Sequence, residues 1–444
     1  MRRPPGPPPR EGGIFSTARY AASFFFDPLG FVGDRFARYG DIYNAPSRGT
    51  DLYVVRRPEH VREVLVTQAD CFAKTHTAFE ALSRILGEGL LTTQGDVWRR
   101  HRRLANPAFA KRAIDSYVTD FAAESRETRD GLAIGSTVDL ASEMTALTLR
   151  VVGRTLLGAE SVADVGKIAR AMRVFQTVLA APRSLPALVR NPLDRLIDGA
   201  IGDLHSILDR AIVARRGARR DPPDLMQMLL DASDPDDPAG RLTDREVKDE
   251  LVTFLLAGHE TTSNTLAWAL YLLSQSPEAE NKLIEEARAL GDCPPTAADL
   301  ERLSFSEQVV KEAMRLYPPA YILARRAATA TILGDFDVAA GTEVVVWIYF
   351  THRDPRVFEA PARFRPERFE PEAEAKLPRG AFLPFGAGPR ACIGKAFAQA
   401  EATVALSTLY QTRRFEYVGK APPKPSPRIT LSPQSLPMRV VGIA

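Results

Sequence analysis

Residues 385–394 read FGAGPRACIG and gather residue types that could hold a reactive sulfur against a flat object. Gly386, Gly388 and Gly394 permit backbone dihedrals that other residues resist, and let the chain approach a planar group closely. Arg390, two residues before Cys392, offers a cation to an acidic group. A helix is predicted over Lys395–Tyr410, just after the cysteine, so its first amides and its dipole would favour a thiolate. A single cysteine near a helix start is by default an inert buried residue. Here Phe385, Gly388, Arg390, Cys392 and Gly394 fall within ten residues, which favours the chemical reading.

A second candidate lies in the stretch from Leu251 to Leu273, which carries no lysine or arginine and is apolar at both ends. Its length would suit a membrane span. Its centre, GHETTSN over 258–264, is too polar for one. It reads instead as a core helix, apolar around most of its circumference, with a polar patch where something is handled inside the fold. Ala257 and Gly258 are small enough to leave room beside the helix. Thr261 can bond back to the carbonyl four residues earlier, and Glu260 can carry protons. His259 is expected to be structural, not a ligand.

The elements that must position these groups follow from pattern and punctuation. Strand signals occupy residues 40–57 and 334–350. Helices are predicted over 58–69, Trp98–Phe109, 276–290 and Ser304–Tyr317, the last stopped by Pro318 and Pro319. The fold class is mostly α with a minor β portion. A chain of 444 residues suggests about three domains from length alone. No linker divides it, and the longest polar insert, Asp231–Gly240, is a surface loop. One large domain over 13–444 is therefore expected, preceded by a Pro-rich tail over 1–12. With 58 basic and 55 acidic residues, nucleic-acid binding is excluded. Three scattered cysteines fit a reducing cytoplasm, not a disulfide framework. The N-terminus lacks the apolar core of a signal peptide. The apolar run Ala21–Val32 is too short to span a bilayer and is expected to pack against the body, so no transmembrane anchor is expected.

The cysteine segment resembles the heme-binding signature of the cytochrome P-450 family at every specified position, and further matches follow in order from about residue 40 to the C-terminus. The resemblance implies heme b, with Cys392 as the axial thiolate and metal ligand. Phe385 would shield the proximal face, and Arg390, Trp98, Arg102 and Arg325 would meet the propionates. Arg99, Arg100, Arg103 and Arg326 would be solvated. Glu312 and Arg315, at i and i+3, form an ExxR pair, and PERF follows at 366–369. The resemblance implies a buried Glu312–Arg315–Arg368 network holding the cysteine loop. The string from Ala257 to Thr262 is similar to the family's oxygen-side motif, with Ala257 and Gly258 beside the cofactor and Glu260 and Thr261 managing protons.

The implied activity is that of a monooxygenase that hydroxylates or epoxidises an apolar fatty acid, terpenoid, carotenoid or steroid with O2. Electrons would come from a separate ferredoxin or flavodoxin with its reductase, delivered to a cytoplasmic monomer. Phe254, Leu255, Ala257, residues 320–324 and a lid over 174–190 would line the pocket, and Arg183 or Arg190 would be lid charges. A heme-thiolate isomerase or peroxide-using peroxygenase is a rival reading, and a heme-binding sensor without turnover is another. The Glu260–Thr261 pair argues against both.

Overall fold

The computed structural model describes residues 2–7, 23–45, 50–74, 82–158, 164–180, 187–234, 240–291 and 293–443. Helices account for 58% and strands for 12%, so the expected mostly α composition holds. The chain forms two compact units, each discontinuous in sequence.

The first unit comprises Met1–His76, Met314–Phe364 and Arg368–Cys392. Its centre is a five-stranded sheet in the order Ile42–Ala45, Leu52–Val55, Glu343–Val346, Leu323–Ala327, Phe72–Lys74. The first three strands fall where alternation predicts them. Val55, Val61, Leu65, Val344, Val346 and Ile348 form its apolar core. The last two strands escape sequence reading because Leu323–Ala327 carries two adjacent arginines and Phe72–Lys74 has only three residues. The helix opened by Pro58 runs only to Arg62 and continues as a π-helical turn, Glu63–Thr67, instead of the α-helix expected to residue 69. Side-chain periodicity does not reveal that wider winding.

Within the Pro-rich segment, residues 2–7 dock on this unit. Asn44 donates its amide to the Pro5 carbonyl at 2.8 Å, and Asp337 donates to that of Arg2 at 2.9 Å. The expectation that Ala21–Val32 packs inward is corrected in part. Val32 is buried on the helix Pro28–Tyr39, but Phe24, Phe25 and Phe26, in the helical turn before it, are 44%, 64% and 83% exposed.

The second unit comprises Thr77–Ala313, Arg365–Glu367 and Ile393–Ala444. Its axis is the helix Asp244–Ser274, started by a capping box in which Thr243 and Glu246 satisfy each other's backbone amides. It packs against Leu140–Leu157 and Lys395–Tyr410. Among the described residues, no helix is long and apolar enough to cross a membrane. The helix Lys395–Tyr410 has the bounds expected from sequence. Phe397 anchors it, with ring centroids 4.9 Å from Phe121, 5.8 Å from Tyr117 and 6.5 Å from Phe109.

Helix Trp98–Phe109 is realised as an α-helix, Gly95–Ala105, with a 3-10 turn over Asn106–Phe109. Buried His101 fixes it to the long helix, with Nδ1 2.8 Å from Glu250 and Nε2 3.2 Å from Glu246. Burial alone would lower the His101 pKa, but these two carboxylates raise it above the usual range. Arg100 also pairs with Glu246, and Arg103 with Asp234. Both are thus paired; Arg100 is half-buried, which corrects the expectation of a solvated charge, while Arg103 stays exposed. Arg99 pairs with exposed Asp96 at the surface.

Glu312 and Arg315 lie on the helix Ser304–Leu316, both at 0% accessibility, so they are no surface salt bridge. Glu312 accepts the Arg365 amide at 2.9 Å. The Arg315 guanidinium donates to the carbonyls of His352 (2.9 Å), Pro361 (2.8 Å) and Arg363 (3.2 Å). Arg368, half-buried, donates to Glu359 and, at 3.1 Å, to Ala360. Both arginines thus fasten one stretch, 352–363. Its His352 accepts the Leu383 amide on Nε2 at 2.9 Å, just before the cysteine loop. Burial holds the His352 pKa at about 3, keeping the ring a neutral acceptor.

Removing one member of such a buried set strands the remaining charge. Glu312→Ala should cost roughly 3–5 kcal/mol and leave little soluble heme-loaded protein. Arg315→Lys keeps the charge but loses the planar fork that reaches three carbonyls, and should also lower the denaturation midpoint. A normal midpoint and heme content in both variants would mean that these groups do not hold the loop.

Candidate active site

The cysteine loop is built on glycine. Gly386 and Gly388 adopt φ of 68° and 70°, a region costly for other residues. A Cβ on Gly388 would lie 1.8 Å from the Leu65 carbonyl oxygen, so the loop seats directly on the π-helical turn. Gly394 has an ordinary φ of −84° and caps the helix that follows. The loop is closed by the Cys392 amide, which donates to the Phe385 carbonyl at 2.9 Å. Cys392 itself is exposed, while Phe385 and Arg390 are half-buried.

Strand geometry separates Arg325 from Arg326. Successive residues point to opposite faces of a sheet. Arg326 is half-buried and pairs with Glu343 at 2.8 Å. Arg325 is only 8% exposed and donates to the Ala324 carbonyl at 2.9 Å. It lies directly across from Lys74 on the neighbouring antiparallel strand. Burial and the charges of Arg390 and Arg325 pull the Lys74 pKa down to about 7. Burial likewise lowers that of Arg325. Sequence reasoning missed Lys74, because a lysine ending a three-residue strand gives no signal of its own. Trp98 and Arg102, at i and i+4, share a face of the helix Gly95–Ala105.

On the long helix, the Thr261 hydroxyl donates to the Ala257 carbonyl at 2.7 Å, the back-bond expected at that spacing. Ala257 is exposed and Thr261 partly so. Gly258 points elsewhere: a Cβ there would meet Val152 Cγ2 at 3.2 Å. Its smallness therefore serves helix packing, which revises the expectation of room for a cofactor. His259 is buried, with Nδ1 donating to the Leu255 carbonyl at 2.7 Å, and burial lowers its pKa. The Thr148 hydroxyl donates to the His259 carbonyl at 2.9 Å. Glu260 accepts a hydrogen bond from Thr430 at 2.5 Å. Phe254 and Leu255, expected to face a pocket, are core residues, and Phe254 packs edge-on against Phe109. Glu401, also missed from sequence, is fully buried beside Thr262, and burial pushes its carboxyl well above the usual range.

A family model for cytochrome P450 matches residues 27–439. The chain belongs to the cytochrome P450 family. Cyclooctatin synthase from Streptomyces melanosporofaciens is 33% identical, over 93% of this chain and 90% of its own. Pentalenene oxygenase from Streptomyces avermitilis is also 33% identical, over 94% and 93%. The crystal structure of the cytochrome P450DA heme domain matches with a TM-score of 0.88 at 26% identity, covering all of this chain and 98% of that one. This P450 is accordingly a heme b monooxygenase.

The residues fit that cofactor. Like charges directly across strands are destabilising, and Lys74, Arg325 and Arg390 stand together in a half-buried setting that two carboxylates would relieve. Cys392 presents an accessible sulfur on a loop whose glycine leaves no space for a side chain.

Heme uptake should be coupled to protonation of Lys74. Burial and the two guanidiniums bring the Lys74 pKa down to about 7, so the ammonium is largely neutral at pH 8–9. A carboxylate beside it favours the charged form and raises the pKa, so binding takes up a proton in that window. Hemin affinity of the apoprotein should therefore fall as pH rises from 7 to 9, by up to about tenfold per pH unit more than in Lys74→Met. Parallel pH profiles for the two proteins would refute the coupling.

Proposed function

We propose that this P450 oxygenates a terpenoid, with Cys392 as the iron ligand. Arg390, Arg325, Trp98, Arg102 and Lys74 would hold the propionates, and Thr261 and Glu260 would manage protons. Its electrons would come from a separate ferredoxin or flavodoxin. The substrate class rests on relatives that are terpenoid oxygenases, the cyclooctatin and pentalenene enzymes. The observation that supports the chemistry is the Thr261–Ala257 back-bond on the accessible face of the long helix.

Bound to a cysteine sulfur, heme supplies oxygen activation and insertion of one oxygen atom into substrate. The protein's share is to place groups around it. The loop amide and glycines fix Cys392, and Arg325, Arg390 and Lys74 neutralise the carboxylates. Ala257 leaves space, and the Thr261 hydroxyl, held by the carbonyl four residues back, accepts and passes protons at Oγ1. Apolar positions after Pro319, notably exposed Ile322 and half-buried Leu323, offer a greasy wall with few groups to orient a polar molecule. Of the lid, Arg183 and the side chain of Arg190 lie outside the described residues. Arg379 and Lys395 are exposed on either side of the cysteine loop, and such charges would draw an acidic electron donor.

The reduced protein with carbon monoxide should show the red-shifted Soret band of thiolate ligation. Cys392→Ser should abolish it, and Cys71→Ser should not. An imidazole-like Soret in fresh protein would sink the assignment. For substrate, titration with terpenoids, fatty acids, steroids and polar compounds should give the low-to-high-spin shift with terpenoids. A shift with sugars or amino acids alone would be inconsistent with an apolar pocket. In the presence of a compound that gives the shift, Thr261→Ala and Glu260→Ala should keep heme and affinity but divert reducing equivalents to hydrogen peroxide. Unchanged coupling in both would end the proton-handling reading.

A further inference from the structure

The Glu260 carboxylate is engaged by a partner far away in sequence. Residues Pro425–Pro427 and Leu431–Pro433 form a two-stranded hairpin, and buried Thr430 sits where its second strand begins. The Thr430 hydroxyl donates to Glu260 Oε1 at 2.5 Å, while its oxygen accepts from Asn264 Nδ2 at 2.9 Å. A hydroxyl has one proton to give. Because Asn264, an amide donor, occupies the oxygen, the Thr430 proton is committed to Glu260. Glu260 and Asn264 stand four residues apart on one face of the long helix, so the same threonine bridges both. The hairpin does not depend on that hydroxyl for docking, since Trp268 Nε1 separately donates to the Leu431 carbonyl at 3.1 Å.

We infer that Thr430, oriented by Asn264, is a positioning residue for Glu260: it fixes Oε1 as an acceptor and leaves Oε2 as the oxygen that exchanges protons. The inference rests on the reading of Glu260 as a proton-handling group. It makes the C-terminal hairpin part of proton delivery: movement of the hairpin would free the carboxylate, and docking would hold it. A proton enters on Oε2 and leaves from Oε2, so the carboxylate ends each transfer unchanged while Oε1 stays bound to Thr430.

The test needs neither substrate nor redox partner. Holoprotein is reduced with dithionite and mixed with air-saturated buffer in H2O and in D2O, and Soret recovery is followed. In parallel, the infrared stretch of carbon monoxide on the reduced protein reports the polarity around the ligand. Glu260→Gln should lose most of the solvent isotope effect and shift the carbon monoxide band. Thr430→Val keeps the shape of threonine but lacks the donor, and should reproduce both changes. Thr430→Ser restores the donor and should behave as the parent protein, whereas a merely structural role would leave the isotope effect intact in all Thr430 variants. Changes in Glu260→Gln with Thr430→Val indistinguishable from the parent would overturn the positioning role alone. No change in Glu260→Gln itself would overturn the proton-handling reading and this inference with it. Heme content and thermal midpoint of Thr430→Val, compared with Thr430→Ser, identify any loss due to folding.

Discussion

A guanidinium with no access to water must find all of its acceptors inside the protein, and Arg315 is such a group. Its acceptors lie outside its own helix, in the irregular chain at 352–363, through the carbonyls of His352, Pro361 and Arg363. That segment has no regular ladder to satisfy its own carbonyls, so the two needs are met together. Arg368 repeats the device on Glu359 and Ala360. The geometry propagates through His352, whose neutral ring accepts the Leu383 amide two residues before Phe385. Phe385 in turn accepts the amide of Cys392. The position of the sulfur is thus traceable, bond by bond, to a buried charge remote from it in sequence.

Electrostatics within the first unit point to the cofactor as clearly as the cysteine does. Placing Lys74 across from Arg325 with Arg390 nearby is unfavourable, and burial together with those two charges depresses the Lys74 pKa. A site that is strained by itself and relieved by ligand carboxylates couples binding to stability. The rest of the sheet holds both strands in register through apolar residues such as Val344 and Val346, so the cations have no cheap way to separate.

The sequence made legible whatever rests on local pattern. FGAGPRACIG marked the loop, the length and composition of 251–273 marked the long helix, and Lys395–Tyr410 was bounded correctly because its apolar face and capping glycine are contiguous. What rests on pairing between distant segments was not legible. Lys74 gains meaning only from strand register with Arg325, and Arg100 and Arg103 gain partners only once Glu246 and Asp234 are brought to them. Thr430 is one threonine in a Pro- and Ser-rich stretch until the hairpin sets it against Glu260. The exposed Phe24–Phe26 run shows the converse error, since apolar composition alone does not say that a segment is covered.

The helical period explains why the polar patch of the long helix divides its labour. At about 100° per residue, Thr261 returns nearly to the face of Ala257, where Ala257 is exposed and Thr261 half-buried. His259 lies roughly 200° from Ala257 and therefore points into the core, where its ring must be neutral and bonded to the Leu255 carbonyl. That placement removes it from competition as an iron ligand, whatever its chemistry would allow. Glu260 falls about 100° from both His259 and Thr261, between the buried face and the accessible one, and Asn264 follows it on the same line. A carboxylate there is close enough to the accessible face to serve it, yet needs a partner from the protein to stay in place. The order His-Glu-Thr thus assigns one residue to packing, one to positioning by the hairpin and one to the accessible face.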